Sequence, residues 1–445
     1  MQEAEQTAHW LATMRACVEG VSGEIEARAR AGVLAELYRG LEREERRRFL
    51  YLLATNFGPD DAAIARATDA FSASADGPSR PEATRRLRTA LEPLQRRLFI
   101  RLNGVRDGMR LLVGLRADLL PLGRSDPHLR ALDDELEDLL RGWFDFGFLQ
   151  LQRITWGSPA DLLEKLIRYE AVHAIGSWDD LRNRLDSDRC CYALFHPSLP
   201  GEPLAFTEVA LTRGLPGSVQ ALLDQQAPLE DPTAADTAAF YSISSCQRGM
   251  QGVSFGEYLI RRVISELRRD LPQIRTWATL SPIPGFRLWL EGRLGRLRPE
   301  GSPKRSPTRT AAVPAAGRDL LAIIDDPTWT ADDARRERVS PRLLRLCARY
   351  FTERRADGSP LDPVARFHLR NGARLERLCF LGDVSRKGLR QSFGIMVNYQ
   401  YDRELIEANQ AAYETRRELA IAPTLIALAR EAETDLTPAG SGRTA

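Results

Sequence analysis

The 445-residue sequence contains no run of about 18 or more uncharged apolar residues, so no membrane-spanning helix is expected. It also lacks an excess of either charge. With 63 basic against 61 acidic residues and a net charge of +2, it has no dominant electrostatic footprint for nucleic acid. The six cysteines (Cys17, Cys190, Cys191, Cys246, Cys347 and Cys379) form no CxxC pair, and a disulfide between the adjacent Cys190 and Cys191 would be strained, so free thiols are expected. Five widely spaced histidines give no HExxH or zinc-knuckle pattern, and no metal site is expected. The opening stretch MQEAEQTAHWLATM has no basic region followed by an apolar core, so it does not read as a signal peptide, and the closing AGSGRTA carries no readable address. A cytoplasmic protein with no membrane or nucleic-acid partner is the expectation. What is present is a globular composition, 43% hydrophobic and 28% charged, on a chain long enough for two or three domains.

Residues 1–150 read as helical. Leu94, Leu98, Leu102 and Val105 recur at helical spacing, and Phe99, Leu111, Leu112, Leu115 and Leu119 continue the stripe. A loop is expected at 72–83 (SASADGPSRPEA). This region carries no spacing that suggests chemistry and reads as a bundle burying its own leucines, with an oligomerisation or docking role. The pattern changes after about 185. Residues 190–195 (CCYALF) and 202–212 (EPLAFTEVALT) are strand-like, with a Pro- and Gly-rich turn between them. Residues 238–246 form another strand candidate. After a glycine-punctuated loop, Leu259, Ile260, Val263, Ile264 and Leu267 share one helix face. A strand at 276–280 leads through SPIPGF into a short helix. Residues 298–318, with four prolines, read as a surface or disordered insertion. A helix follows at about 331–354. PVARFHLRNGARL reads as a helix ending near Asn371 and Gly372, strands follow at 374–381 and 392–401, and a last helix covers roughly 403–431. The expected class is α+β, with domains at 1–150 and 151–436 and a disordered tail at 437–445.

Three segments carry candidate chemistry. In QRGMQGVSFGEYLIRRV (247–263) a strand, three glycines and a helix succeed one another, a layout that lets backbone N–H groups and the partial positive charge of a helix N-terminus approach a phosphate. It is neither a Walker A loop nor a Rossmann fingerprint, and a glycine-rich turn without a ligand is the competing reading. In TLSPIPGF (279–286), Ser281 ends a strand before two stiffening prolines; it either holds a hydroxyl in a fixed aim or caps the next helix. In FHLRNGA (367–373), His368 lies on a short helix, and its ordinary pKa near 6.5 suits either a proton donor or an unremarkable core histidine.

Taken together, YEAVHAIGSWDDLRNRL (169–185), PGEPLAFTEVALT (200–212), AAFYSISSCQRGMQGV (238–253), TLSPIPGF (279–286), DPVARFHLRNGA (362–373) and the run from Gly382, Asp383, Val384, Ser385 to Asn398, Tyr399, Gln400, Tyr401 closely resemble the malonyl-CoA decarboxylase family, in its order and over about 230 residues. The resemblance implies a helical N-terminal domain followed by a GNAT-type acyltransferase-fold catalytic domain, a mixed sheet with helices. It implies that Gln251, Gly252, Val253, Ser254, Phe255, Gly256 and Glu257 hold the pyrophosphate and pantetheine of CoA, that Ser281 and His368 are the catalytic serine and histidine, and that His196, Ser242 and Tyr401 also belong to the site. Ser254 stands where the family carries a glutamate. The implied partners are malonyl-CoA and acetyl-CoA, with a homodimer or homotetramer as the assembly.

The implied reaction starts without a base, because the substrate carboxylate is already ionised. Loss of CO2 leaves an enolate, which needs donors at its oxygen and a proton at carbon. The expected roles are His368 as proton donor and Ser281 as an orienting and relaying hydroxyl, since a free serine is a poor base. The thioester is the electron sink, so no cofactor beyond the CoA moiety is expected. The rival readings are an acyltransferase of the same fold, which needs an acceptor, and an inactive CoA-binding scaffold.

Overall fold

The computed structural model describes residues 2–19, 23–74, 77–294, 315–326 and 328–432. The chain divides into two compact units: residues 1–152 with 193–205 and 245–258, and residues 153–192 with 206–244 and 259–445.

The first unit is mainly helical, its described helices running from Gln2–Val18 to Pro127–Trp143. Local sequence sets their starts. Asp60 accepts a hydrogen bond from the Ala63 N–H, and Asp126 caps Pro127–Trp143 by accepting from His128 and Leu129, with Pro127 in the first turn where its missing N–H costs nothing. Leu129, Leu132, Leu136, Leu139 and Leu140 form the buried face of that helix. Each such burial stabilises by roughly 1.5–3 kcal/mol. The leucine stripe at 94–119 is divided between two helices, Leu94–Asn103 and Gly108–Leu119, because the chain turns at Asp107, which adopts a left-handed φ of 55°. The loop expected at 72–83 is shorter. Ser72 and Ala73 complete the helix Asp61–Ala73, and Pro81 fits the first turn of Arg80–Leu91.

The strands are β1 (Gln150–Ile154), β2 (Arg189–Phe195), β3 (Ala205–Thr212), β4 (Thr237–Ser245), β5 (Thr276–Thr279), β6 (Ser281–Pro282), β7 (Arg374–Cys379) and β8 (Met396–Gln400). They form one sheet in the order β1-β2-β3-β4-β5-β8-β6, with β7 also paired to β8. β2, β3 and β4 are buried along nearly their whole length, as strands covered on both faces are. β4 and β5 are parallel, joined across the helix Phe255–Asp270, while β5, β6 and β7 all pair antiparallel with β8. The architecture is therefore a helical N-terminal region followed by a mixed sheet with helices.

Several boundaries differ from the sequence expectation. β3 starts at Ala205 rather than 202, and β7 and β8 are shorter than their apolar runs. Residues 298–314 and the tail expected at 437–445 lie outside the described residues, whereas 315–318 open the helix Ala315–Ile324 rather than continue an insertion. The single helix expected at 403–431 is two, Ile406–Arg416 and Pro423–Glu431. Arg417 turns left-handed at φ 54°, and the segment after it pairs with β7 through Leu375, which takes its backbone out of the helix. Among the described residues no helix is long and apolar enough to cross a membrane.

Candidate active site

In the second unit, β4 and β5 run side by side with Phe240 opposite Thr279. Two residues further along these segments lie Ser242 and Ser281. Ser281 opens β6, where it pairs with Val397 of β8 and is followed by Pro282. β8 in turn ends beside Tyr401, whose N–H donates to the Trp277 carbonyl of β5. His368 arrives from elsewhere, on the helix Pro363–Arg370, with Ala365 and Leu369 on the same buried face. That helix is started by Asp362, which accepts from the Val364 and Ala365 N–H groups. Its stop is also local, since Gly372 takes φ 83° just past the C-cap Asn371.

These elements bring three of the candidate residues together. Ser281 Oγ lies 3.3 Å from His368 Nε2, and His368 Nδ1 lies 2.8 Å from the Tyr401 hydroxyl. All three side chains are buried. Ser281 Oγ donates to Thr279 Oγ1 at 2.8 Å, so it accepts from Nε2–H, and Nδ1 is left to accept from the Tyr401 O–H. The Tyr399 ring stacks on the imidazole at 4.5 Å between centroids. Burial pushes the His368 pKa down from 6.5 to about 3. The resting imidazole is therefore neutral, whereas an unperturbed histidine would titrate near 6.5.

At the start of the helix that carries His368, burial pushes Asp362 up to about 6, partly offset by the N–H groups of Ala365 and Val364 and by the Tyr350 hydroxyl, which donates at 3.3 Å. Asp362, Thr279 and Tyr399 were not singled out from sequence. The Asp-Pro pair at 362–363 is a readable helix-start signal, but nothing local marks Thr279 or Tyr399.

Ser242 belongs to a different cluster. Its hydroxyl lies 2.7 and 2.8 Å from the two oxygens of buried Glu170, which also accepts from Ser244 and from the N–H groups of Val172 and His173. Next to it, burial and the neighbouring Glu170 raise Glu208 to about 8, against the pull of Arg184 at 3.1 Å. Ser242 thus fastens the segment after Tyr169 to the sheet.

The remaining candidates lie in the first unit. His196 is buried, its ring 4.7 Å from that of Phe144, and its pKa is lowered by desolvation. Its Nδ1 accepts from the Ser198 N–H, which puts the proton on Nε2, where the described residues offer no partner. In the loop 251–257, Gln251 and Gly252 are exposed, Phe255 is buried, and Ser254, Gly256 and Glu257 are half-buried at the start of the helix Phe255–Asp270. Among the described residues no group of three or more His, Cys, Asp or Glu side chains is placed to hold a metal ion.

Comparison with known proteins agrees along the chain. Residues 57–144 match the malonyl-CoA decarboxylase N-terminal domain and residues 147–438 the malonyl-CoA decarboxylase C-terminal domain. The chain is 38% identical over 405 residues to mitochondrial malonyl-CoA decarboxylase of Anser anser anser, covering 87% of this chain and 80% of the relative. It is 36% identical over 399 residues to the Mus musculus mitochondrial enzyme, covering 84% and 80%. The crystal structure of malonyl-CoA decarboxylase from Rhodopseudomonas palustris superposes with a TM-score of 0.84 at 43% identity, covering 94% of this chain and 98% of that one.

Proposed function

Because the chain belongs to the malonyl-CoA decarboxylase family, we propose that its buried Ser281, His368 and Tyr401 protonate the enolate left when malonyl-CoA loses CO2. The protein is a carboxy-lyase that converts malonyl-CoA to acetyl-CoA and CO2. The observation that carries the residue assignment is the pair of contacts on one imidazole, Ser281 on Nε2 and Tyr401 on Nδ1.

Decarboxylation leaves an electron pair shared between the α-carbon and the thioester oxygen, a far stronger base than any side chain nearby. A neutral histidine serves it as a relay. The Ser281 hydroxyl, turned from Thr279 to the substrate, gives its proton to carbon. His368 Nε2–H then restores the serine, while Nδ1 takes the Tyr401 proton. Return of that proton to Tyr401, with uptake of one solvent proton at Nε2, resets the tautomer, so one solvent proton is consumed per turnover. No imidazolium forms. A positioned proton donor contributes roughly 10²–10⁴ in rate, and a donor aimed at the enolate oxygen roughly 10²–10³.

On the same reading, residues 251–257 hold the CoA phosphates, and the thioester serves as electron sink without a further cofactor. His196 offers an Nε2–H donor, and Ser242 supports the sheet through Glu170. We place the protein in the cytoplasm as a homo-oligomer assembled through its helical region. Six cysteines outside any disulfide suit a reducing compartment, although the curated relatives are named as mitochondrial. The test is incubation with malonyl-CoA alone. Acetyl-CoA and CO2 in equal amounts are expected; turnover that appears only when an amine or alcohol acceptor is added would make the protein an acyltransferase.

A further inference from the structure

We propose that Arg116, from the helical region, is a positioning residue for CoA, acting through the backbone of the loop before the helix Phe255–Asp270. The inference rests on the reading of residues 251–257 as the CoA loop. Arg116 is 1% exposed, and a guanidinium that deep has to be fully paired. Two of its partners are the carboxylates of Asp133, at 2.9 Å, and Glu137, one turn apart on Pro127–Trp143. The others are backbone carbonyls of the loop, Gly249 at 2.8 Å and Gln251 at 2.6 Å. Arg141, half-exposed one turn beyond Glu137, adds a contact at 3.4 Å to the Gly252 carbonyl. Two guanidiniums therefore fasten three loop carbonyls.

The loop is built for that approach. A Cβ on Gly249 would lie 1.9 Å from the Val113 carbonyl oxygen, so at this residue the loop backbone rests directly on the helix Gly108–Leu119. Gly252 takes φ 96°, and a Cβ there would press to 2.7 Å from the Glu137 carboxylate. In a planar trans peptide the C=O and the next N–H point in opposite directions. Pinning the Gln251 carbonyl toward Arg116 therefore turns the Gly252 N–H away from the helices, where an anion can take it. Charge works the same way. Without the guanidinium, two carboxylates would stand behind a loop that receives phosphate. A salt bridge serving only the bundle core would need neither the carbonyl contacts nor the two glycines.

The experiment compares CoA affinity by titration calorimetry with KM and kcat for malonyl-CoA, using the full chain. Lysine keeps the charge but cannot fork to two carboxylates and two carbonyls. Arg116→Lys should weaken CoA and raise KM together by about tenfold, with kcat within about twofold of wild type. Arg141→Ala, on an exposed position that folding tolerates, should do the same by about threefold. Gly256→Asp places a negative charge in the loop itself. If it leaves CoA affinity unchanged, the loop reading fails and the proposal with it. If it weakens CoA while folded Arg116→Lys and Arg141→Ala bind CoA like wild type, only the positioning role is overturned. A loss of kcat at unchanged CoA affinity overturns it as well. Should Arg116→Lys not fold, Arg141→Ala alone decides.

Discussion

Around His368 the polar contacts are made by neutral groups, whereas around Arg116 most of the polar side chains are charged. Ser281, Tyr399 and Tyr401 contact the imidazole, Thr279 lies one hydrogen bond further on through Ser281, and desolvation alone accounts for the lowered histidine pKa. Arg116 instead joins two carboxylates and two carbonyls. The difference follows from the two jobs. Holding a loop backbone needs many strong, fixed contacts, which a buried charge network provides once it is fully paired. Delivering a proton to a carbanion needs hydrogens that can shift along a chain, and a fixed cation or anion beside the chain would trap them. The sharpest way to break this comparison is to delete the central relay. His368→Ala should lower kcat by roughly 10²–10⁴ while CoA affinity stays near wild type. Ser281→Ala should fall in the same range, and the double variant should be little worse than either single. Additive losses would mean that the two side chains do not act as a unit.

How far the two centres could be read from sequence also differs. TLSPIPGF placed Ser281 at a strand end, and the Gly372 stop placed His368 near the end of a short helix. Their meeting depends on β8, which pairs Ser281 with Val397, and no local pattern announces a partner more than a hundred residues away. The lowered His368 pKa is not legible in the sequence for the same reason, because the burial that sets it is tertiary. Arg116 was invisible: 133 residues separate it from Gly249, and on the leucine-rich helix Gly108–Leu119 one arginine looks like a solvated charge. The helix break after Arg416 is likewise not legible locally, because pairing with Leu375 overrides a run of good helix formers.

A milder change sharpens the relay itself. Tyr401→Phe removes the hydroxyl on Nδ1 and leaves Ser281 against Nε2. Turnover should fall by about tenfold, less than for His368→Ala, with KM nearly unchanged. The solvent isotope effect on kcat should also change, since one of the protons in flight is gone. Wild-type turnover in Tyr401→Phe would reduce Tyr401 to a packing contact and leave His368 with Ser281 alone.

The smallest expected effect is no change at all, and it separates a neutral relay from an ordinary imidazolium donor. If His368 titrated at its ordinary 6.5, kcat would drop by about tenfold per pH unit above that value as the imidazolium was lost. With its pKa pushed to about 3 by burial, its protonation state does not change between pH 6 and 8, and kcat should be flat there. Stability gives an independent reading of the same group. An unfolded chain protonates this histidine near 6.5, but the folded chain does so only near 3, so between those values the unfolded state binds more protons. Its contribution is complete above 6.5 and is lost as pH falls toward 3. Asp362, raised from 3.8 to about 6, slopes the other way between those two values, because there the folded state holds the extra proton. Wild type alone therefore blurs the two, and the comparison to make is wild type against His368→Gln by thermal unfolding. The difference between them should be constant above pH 6.5 and should shift in favour of the glutamine variant below it. A difference that stays constant down to pH 4 would put the histidine pKa near its ordinary value and return His368 to the role of a free acid.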